Sequence, residues 1–369
     1  MRILHLVDRL TERGGAYRHL IGVIEALANV GATGRSPLHV DHVQMVAAGD
    51  VDGSVQPGCA VVTLPGLESR TRTDVAIDSI SAEFGADVVH LHTIVNPAVL
   101  EWAERLPAVI TVQDHRYFCP ARGKWTRDGR VCREPMSHDV CRACFEDQAY
   151  FGGILTLTQE RLAAVQPLRR VIVLSQYMKN ELAAVGVSAE RIDVIPPFVH
   201  GLDPTAEPDG PACVLFVGRL SEAKGVRDAI DAWRAAGVVL PLVFAGTGPL
   251  RCEVEAAGFE MLGWLDRAGL SRAYRRARAV VLPSRWQEPF GIAGLEALAM
   301  GVPVVGYDSG GVGEWHPGDG LVAWGDAAAL ARALRAAVER PAVCALARLP
   351  DRAALMTQLL EAYASCQRQ

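Results

Sequence analysis

The feature that most constrains this chain is a rhythm of short apolar runs and helix-like stretches that stops once and then starts again. Residues 3–7 read as a buried strand, and Leu20, Val23, Ile24 and Leu27 follow at the 3,4 spacing of a helix. Further strands read near Val43 and Val61 and over 88–91 and 109–112. Alternation of this kind implies a parallel sheet with helices on its faces. It breaks at Pro196-Pro197 and a stretch rich in Pro, Asp and Gly that runs to Pro211, where neither a helix nor a central strand can continue. It then restarts with runs at 213–217, 242–245, 261–262, 280–282 and 302–305. The expectation is an α/β chain of two Rossmann-like domains facing each other across a cleft. The first spans 1–197, a linker covers 198–211 and the second spans 212–345. A last helical stretch within 346–369 crosses back onto the first domain.

At 369 residues, half of them apolar, the chain can bury two cores. A net charge of −5 gives no reason to expect nucleic acid as a partner. The apolar start is too short for a signal peptide, and no run approaches the roughly 18 apolar residues of a membrane span. Nine cysteines, an odd number without an export signal, point to a reducing cytoplasm, where clustered thiols hold metal more often than they pair. A cytoplasmic location is expected. The sequence carries no signal of oligomeric state.

In open α/β sheets ligands bind outside the carboxyl ends of strands. After the run 213–217 comes Gly218-Arg219-Leu220-Ser221-Glu222-Ala223-Lys224-Gly225, two cations five residues apart on one loop. Arg grips phosphate oxygens as a fork and Lys as a point charge, so the pair suits a diphosphate leaving group; the bland reading is two solvated surface cations. After 242–245 comes Gly246-Thr247-Gly248-Pro249, where missing side chains let a ligand approach the backbone, although most such turns merely stop a strand. After 280–282 comes Pro283-Ser284-Arg285-Trp286-Gln287-Glu288-Pro289-Phe290-Gly291-Ile292-Ala293-Gly294-Leu295-Glu296. Pro289 is read as opening a helix that carries Glu296, with amides near Gly291 ready for a phosphate or sugar oxygen. The carboxylates of Glu288 and Glu296 accept hydrogen bonds from paired hydroxyls.

In these motifs the chain resembles the family 4 retaining glycosyltransferases of GT-B fold, over nearly its whole length. The resemblance rests on residues 216–220 with Lys224-Gly225, on 245–249, on Gly263-Trp264-Leu265 and on Glu288 and Glu296 with seven residues between them. It implies transfer of a sugar, with retention, from a nucleoside-diphosphate sugar, UDP favoured over GDP and ADP, to an unidentified acceptor. It also implies that Arg219 and Lys224 hold the diphosphate, with Gly246 on the donor side, that Glu288 binds sugar hydroxyls, and that the amides at Phe290, Gly291 and Ile292 reach sugar or phosphate. Glu296 would take the ribose, and Gly263, Trp264 and Leu265 would border the base. Gly14-Gly15 matches the glycine turn near the diphosphate, and His92 matches a residue facing the acceptor. The family's His-Asp pair is here Gln113-Asp114, with His115 displaced by one; Gln bonds a hydroxyl but takes no proton near neutral pH. Gln113 and Asp114 are assigned to sugar and acceptor positioning, with His115 as the alternative. The family mechanism is a same-face displacement in which the leaving phosphate helps deprotonate the acceptor. No catalytic metal is expected, because Arg219, Lys224 and the helix terminus supply the positive field.

A long segment over 115–150 carries Cys119, Cys132, Cys141 and Cys144 among Arg122, Lys124, Arg127, Arg130, Arg133 and Arg142. A segment this long needs an internal staple or a function. A C-x-x-C knuckle with two upstream cysteines can surround one structural zinc; free or redox-active thiols, disulfides and an iron–sulfur centre remain alternatives. Similar four-cysteine insertions occur in a subset of the same family. The basic residues are read as a solvated face, with contact to an anionic acceptor or a membrane surface as the sharper reading. Competing functions are a sugar-nucleotide epimerase or phosphorylase on the same fold, a metal-dependent binding module, and a catalytically silent homologue acting as an accessory subunit.

Overall fold

The computed structural model of the chain describes residues 1–9, 14–33, 40, 42–47, 58–67, 74–340 and 350–367. It divides into two compact units. One holds Met1–Asp128, Cys132–Phe198 and Pro350–Gln369, the other Gly129–Val131 and Val199–Leu349. The domain end expected at residue 345 and the cysteine at 344 lie outside the described residues.

In the first unit β1 (Arg2–Val7), β2 (His42–Ala47), β3 (Ala60–Thr63), β4 (Val88–His92), β5 (Ala108–Val112), β6 (Arg170–Val173) and β7 (Ile192–Val194) form one parallel sheet in the order β3-β2-β1-β4-β5-β6-β7. Its central strands β1, β4, β5 and β6 are buried on both faces, as a covered parallel sheet requires. On β1, Leu4 and Leu6 join one core cluster with Trp102, Tyr117 and Phe118. Ile3 faces the other way, into a cluster with Val88, Val109 and Ile172. That second face is covered by the final helix, Arg352–Gln367, through Leu355, Met356, Leu359, Leu360 and Tyr363. The chain's last helix thus belongs to the unit that its first strand begins.

The second unit repeats the scheme with β8 (Cys213–Val217), β9 (Leu242–Ala245), β10 (Glu260–Gly263), β11 (Ala277–Leu282), β12 (Val304–Tyr307) and β13 (Leu321–Val322), all parallel, in the order β10-β9-β8-β11-β12-β13. The strand expected from residue 302 begins at Val304. Pro303 has no N–H to give the ladder, and its carbonyl instead accepts from the Val280 N–H at 2.9 Å. In each sheet the order reverses once, between β1 and β4 and between β8 and β11. Such switch points open the crevice in which α/β sheets bind ligands.

Candidate active site

The crevice of the second unit is built by loops that touch through their backbones. A Cβ on Gly246 would lie 1.9 Å from the Gly218 carbonyl oxygen, and one on Gly225 would lie 1.8 Å from that of Pro283. Both glycines have positive φ, 145° and 68°. Only glycine fits either position. Gly246 therefore serves the approach of one loop to another, a use that its turn motif did not separate from approach to a ligand. The turn at Ala223 is fastened to the next loop by the amides of Arg285 and Trp286, which donate to its carbonyl at 2.9 and 3.1 Å. Arg285 forks onto Asp228 at 2.7 and 3.0 Å, and the Tyr307 hydroxyl adds a third bond to that carboxylate.

This frame brings Lys224 to Glu288. Its ammonium lies 2.7 Å from Oε1 and 4.4 Å from the centre of the Trp286 ring. The Ser284 hydroxyl also donates to Glu288 Oε1. Burial alone raises the Glu288 carboxyl, but the Lys224 charge, with hydrogen bonds from Lys224, Ser284 and Trp286, outweighs it and holds the group below its ordinary value. Glu288 is thus a buried anion held by the frame, with Oε1 taken by Lys224 and Ser284. Arg219 is exposed and has no ion pair among the described residues.

The helix expected to open at Pro289 spans Ile292–Ala299 instead, because Gly291 takes a left-handed conformation at its N-cap. Glu296 therefore sits in its second turn, buried. Its Oε1 receives Arg267 Nη1 at 2.5 Å, and the Tyr274 hydroxyl lies 3.2 Å from Oε2. Phe290 is buried, and its carbonyl accepts from the Trp315 indole at 2.5 Å. Trp264 and Leu265 follow β10 and are partly exposed.

On the first unit Gly14 and Gly15 are exposed where the helix Gly15–Thr33 begins. His92 requires a correction. Strand side chains alternate, so His90 and His92 share a face with His5 across the β1/β4 ladder, and this is the face covered by the final helix. His92 Nε2 lies 2.9 Å from His5 Nδ1. His90 bonds the Tyr363 hydroxyl and Thr111 Oγ1, each at 2.7 Å. His92 lines a small internal cavity of about 20 Å³ with His19, His90 and Thr111 and is not turned outward to an acceptor. His115 is also buried, with Nε2 3.2 Å from the Tyr177 hydroxyl. Gln113 is 8% exposed. Both of its amide atoms are buried without a partner among the described residues, an arrangement costing about 1–3 kcal/mol per group unless a ligand or water completes it. Asp114 is taken by Arg116, whose Nε bonds it at 2.7 Å. Burial raises the Asp114 carboxyl, but the Arg116 guanidinium brings it below the usual value.

Sequence reasoning missed the residues that join these ends. Thr93, just past β4, has φ of 57°, strained for a β-branched residue, and its hydroxyl donates to Asp8 just past β1. Tyr17 donates to Asp8 at 3.1 Å, and Arg116 approaches Asp8 to 3.9 Å while holding Asp114. No motif marked Asp8, Thr93 or Arg116; their position at strand ends was the available signal.

Cys119, Cys132, Cys141 and Cys144 are free and partly buried. The Lys124 amide donates to Cys119 Sγ at 3.5 Å, and the Cys144 amide closes the C-x-x-C turn on the Cys141 carbonyl at 3.0 Å. Burial pushes the Cys141 thiol up to about 11, and the three other sulfurs add to it. Among the described residues, however, the group whose ligand atoms converge within 4.8 Å is His5, His90 and His92, not the cysteines. That trio offers no anionic ligand, and both His90 nitrogens already bond hydroxyls, so it reads as a core network. No helix among the described residues is long and apolar enough to cross a membrane.

Two parallel Rossmann-like units, each with a switch point in its strand order, define a two-domain α/β class. Residues 3–200 match Glycosyltransferase Family 4, and residues 211–340 match Glycosyl transferases group 1. The chain belongs to the family 4 glycosyltransferases. An uncharacterized glycosyltransferase of Methanocaldococcus jannaschii is 26% identical over 279 residues, 62% of this chain and 69% of its own length. The glycogen synthase of Mycobacterium tuberculosis is 39% identical over 36% of this chain, and the match spans 35% of that enzyme. The 2-deoxystreptamine N-acetyl-D-glucosaminyltransferase of Streptomyces fradiae is 33% identical over 57% of this chain and 58% of its own length. Matches to these two named enzymes thus span about a third and somewhat over half of their lengths. Among solved structures, an Anabaena protein in complex with UDP and glucose superposes with a TM-score of 0.70 at 18% identity, covering 98% of this chain and 99% of that one. The lipopolysaccharide outer core galactosyltransferase WaaB superposes at 0.64 and 17% identity, over 99% of both chains. The fold is GT-B.

Proposed function

We propose that the protein transfers a sugar, with retention, from a nucleoside-diphosphate sugar, UDP-linked in the first instance, to an acceptor. The observation that carries this reading is the ion pair of Lys224 with the buried Glu288 at the switch point of the second unit, with Arg219 exposed on the Lys224 loop. Lys224 and Arg219 supply positive charge where the departing diphosphate develops negative charge. In this reading Glu288 accepts from donor-sugar hydroxyls, and Glu296 takes the ribose. On the first unit, Gln113 offers an amide for an acceptor or sugar hydroxyl. No protein base is assigned; the departing phosphate takes the acceptor proton. An Anabaena neighbour of the same fold holding UDP and glucose supports a UDP donor.

The test is a panel of UDP-, GDP- and ADP-sugars, read by thermal shift and then by nucleotide release with candidate acceptors. A ligand at a hundred times its dissociation constant adds roughly 2.7 kcal/mol to folded stability. The reading predicts a clear rise in Tm for one nucleotide class and release of its diphosphate. No shift from any of them at millimolar concentration would sink it.

Cys119, Cys132, Cys141 and Cys144 are read, as part of the same proposal, as ligands of one structural zinc. The amide on Cys119 and the closed C-x-x-C turn support thiolate ligation, since such second contacts orient metal ligands. Elemental analysis of the purified protein is expected to find one zinc per chain, lost in Cys141→Ser/Cys144→Ser. Metal-free protein with four readily titrated thiols would refute it.

A further inference from the structure

We infer that Arg267 is a positioning residue that makes the nucleotide pocket select ribonucleotide donors over 2′-deoxy ones. The inference rests on the donor reading above and concerns a side chain that no motif singled out. Arg267 is the first residue of the helix Arg267–Arg276, whose start is fixed by the Asp266 side chain accepting from the Gly269 amide at 2.7 Å. From there one guanidinium nitrogen reaches Glu296 Oε1 at 2.5 Å, and the other donates to the His200 carbonyl. The guanidinium is thus anchored at one end and holds the carboxylate at the other.

A carboxylate has about four lone-pair directions, two on each oxygen. Arg267 occupies one on Oε1. The Tyr274 hydroxyl has a single proton to share between the Ala293 carbonyl at 2.9 Å and Glu296 Oε2 at 3.2 Å, so it uses at most one on Oε2. Each oxygen keeps at least one acceptor direction, side by side in the plane that Arg267 fixes. Two adjacent acceptors in a fixed plane match two adjacent hydroxyl donors, the cis 2′,3′-diol of a ribose. A ligand lacking the 2′-hydroxyl leaves one buried acceptor of the held carboxylate without a partner, the arrangement by which proteins reject analogues missing one hydroxyl. Freed from Arg267, Glu296 can pivot to serve a single hydroxyl, and the selectivity falls.

The experiment is calorimetric titration of the full-length protein with UDP and with 2′-deoxy-UDP, in the wild type and in Arg267→Ala and Arg267→Lys. The wild type is expected to prefer UDP by about 10- to 100-fold. Arg267→Ala is expected to bring the two within about 3-fold, chiefly by weakening UDP, and Arg267→Lys to restore part of the preference. A wild type indifferent to the 2′-hydroxyl overturns the inference. So does an Arg267→Ala protein that weakens both ligands equally and keeps the ratio, since that is the signature of a structural or general electrostatic role. If wild type binds neither nucleotide, the donor reading itself falls, and the inference with it; preserved UDP binding without discrimination sinks the inference alone.

Discussion

Glu288→Gln is expected to lower kcat/KM for the donor by about 100- to 1,000-fold while leaving the protein folded. The magnitude is that of removing one fixed electrostatic group from a site that stabilises developing charge, about 2.7–4 kcal/mol. Glutamine keeps the shape but cannot pair with Lys224, which loses its 2.7 Å ion pair. Removing one partner of a deeply buried pair costs about 3–5 kcal/mol of stability. Here the cost is smaller, because the Lys224 side chain is a quarter exposed and regains water. Lys224→Ala should show a loss of turnover of the same order, and the double variant less than the sum, since the two act as one unit. The measurement is steady-state kinetics with the donor identified by the panel, alongside melting curves. Variants that keep wild-type turnover would mean that the pair takes no part in transfer; a wild type that turns over no donor would favour the accessory-subunit reading.

The second large effect is expected from acid. His5, His90 and His92 are buried in contact with one another. Burial pulls the His5 pKa down from 6.5 to about 3. It lowers His90 and His92 well below the ordinary value too, with neighbouring histidines adding to the shift. The unfolded chain therefore binds protons that the folded chain refuses. Stability is full above about pH 6.5 and is lost as pH falls below it, at roughly 1.4 kcal/mol per histidine per pH unit. Three such groups remove about 4 kcal/mol by about pH 5.5, a large share of the 5–15 kcal/mol typical of a domain. Denaturant melts between pH 7.5 and 5 should show this slope. A His5→Phe variant, if it folds, should show a shallower one. A midpoint that does not move over this range would mean that the trio is hydrated or already charged.

Both sheets were legible because their strands are continuous apolar runs separated by helix-length spacing, which long-range packing rarely overrides. The strands that went unread are short. β7 has three residues ahead of Pro196 and β13 has two, while β6 has four residues starting at Arg170, a run that periodicity cannot tell from a buried helical turn. Lys224 and Glu288 were each legible because each lies just after a strand within a motif; their ion pair was not. Arg267 was not, since its meeting with Glu296 depends on two helices set by different strands. His92 was misplaced for a different reason: family likeness assigned it an acceptor-facing role, while the period of two along β4 and the register with His5 send its ring to the covered face. Gly291 likewise overrode Pro289 as the start of the helix.

The central claim is that the second unit holds the donor nucleotide on the loops after β8, β10 and β11. Hydrogen–deuterium exchange of the full-length protein with and without saturating UDP tests it most directly. The account predicts slowed exchange over residues 218–225, 263–268 and 284–296, with little change in the sheet of the first unit. Protection confined to the cysteine segment, or to any surface that leaves those three loops unchanged, would contradict it.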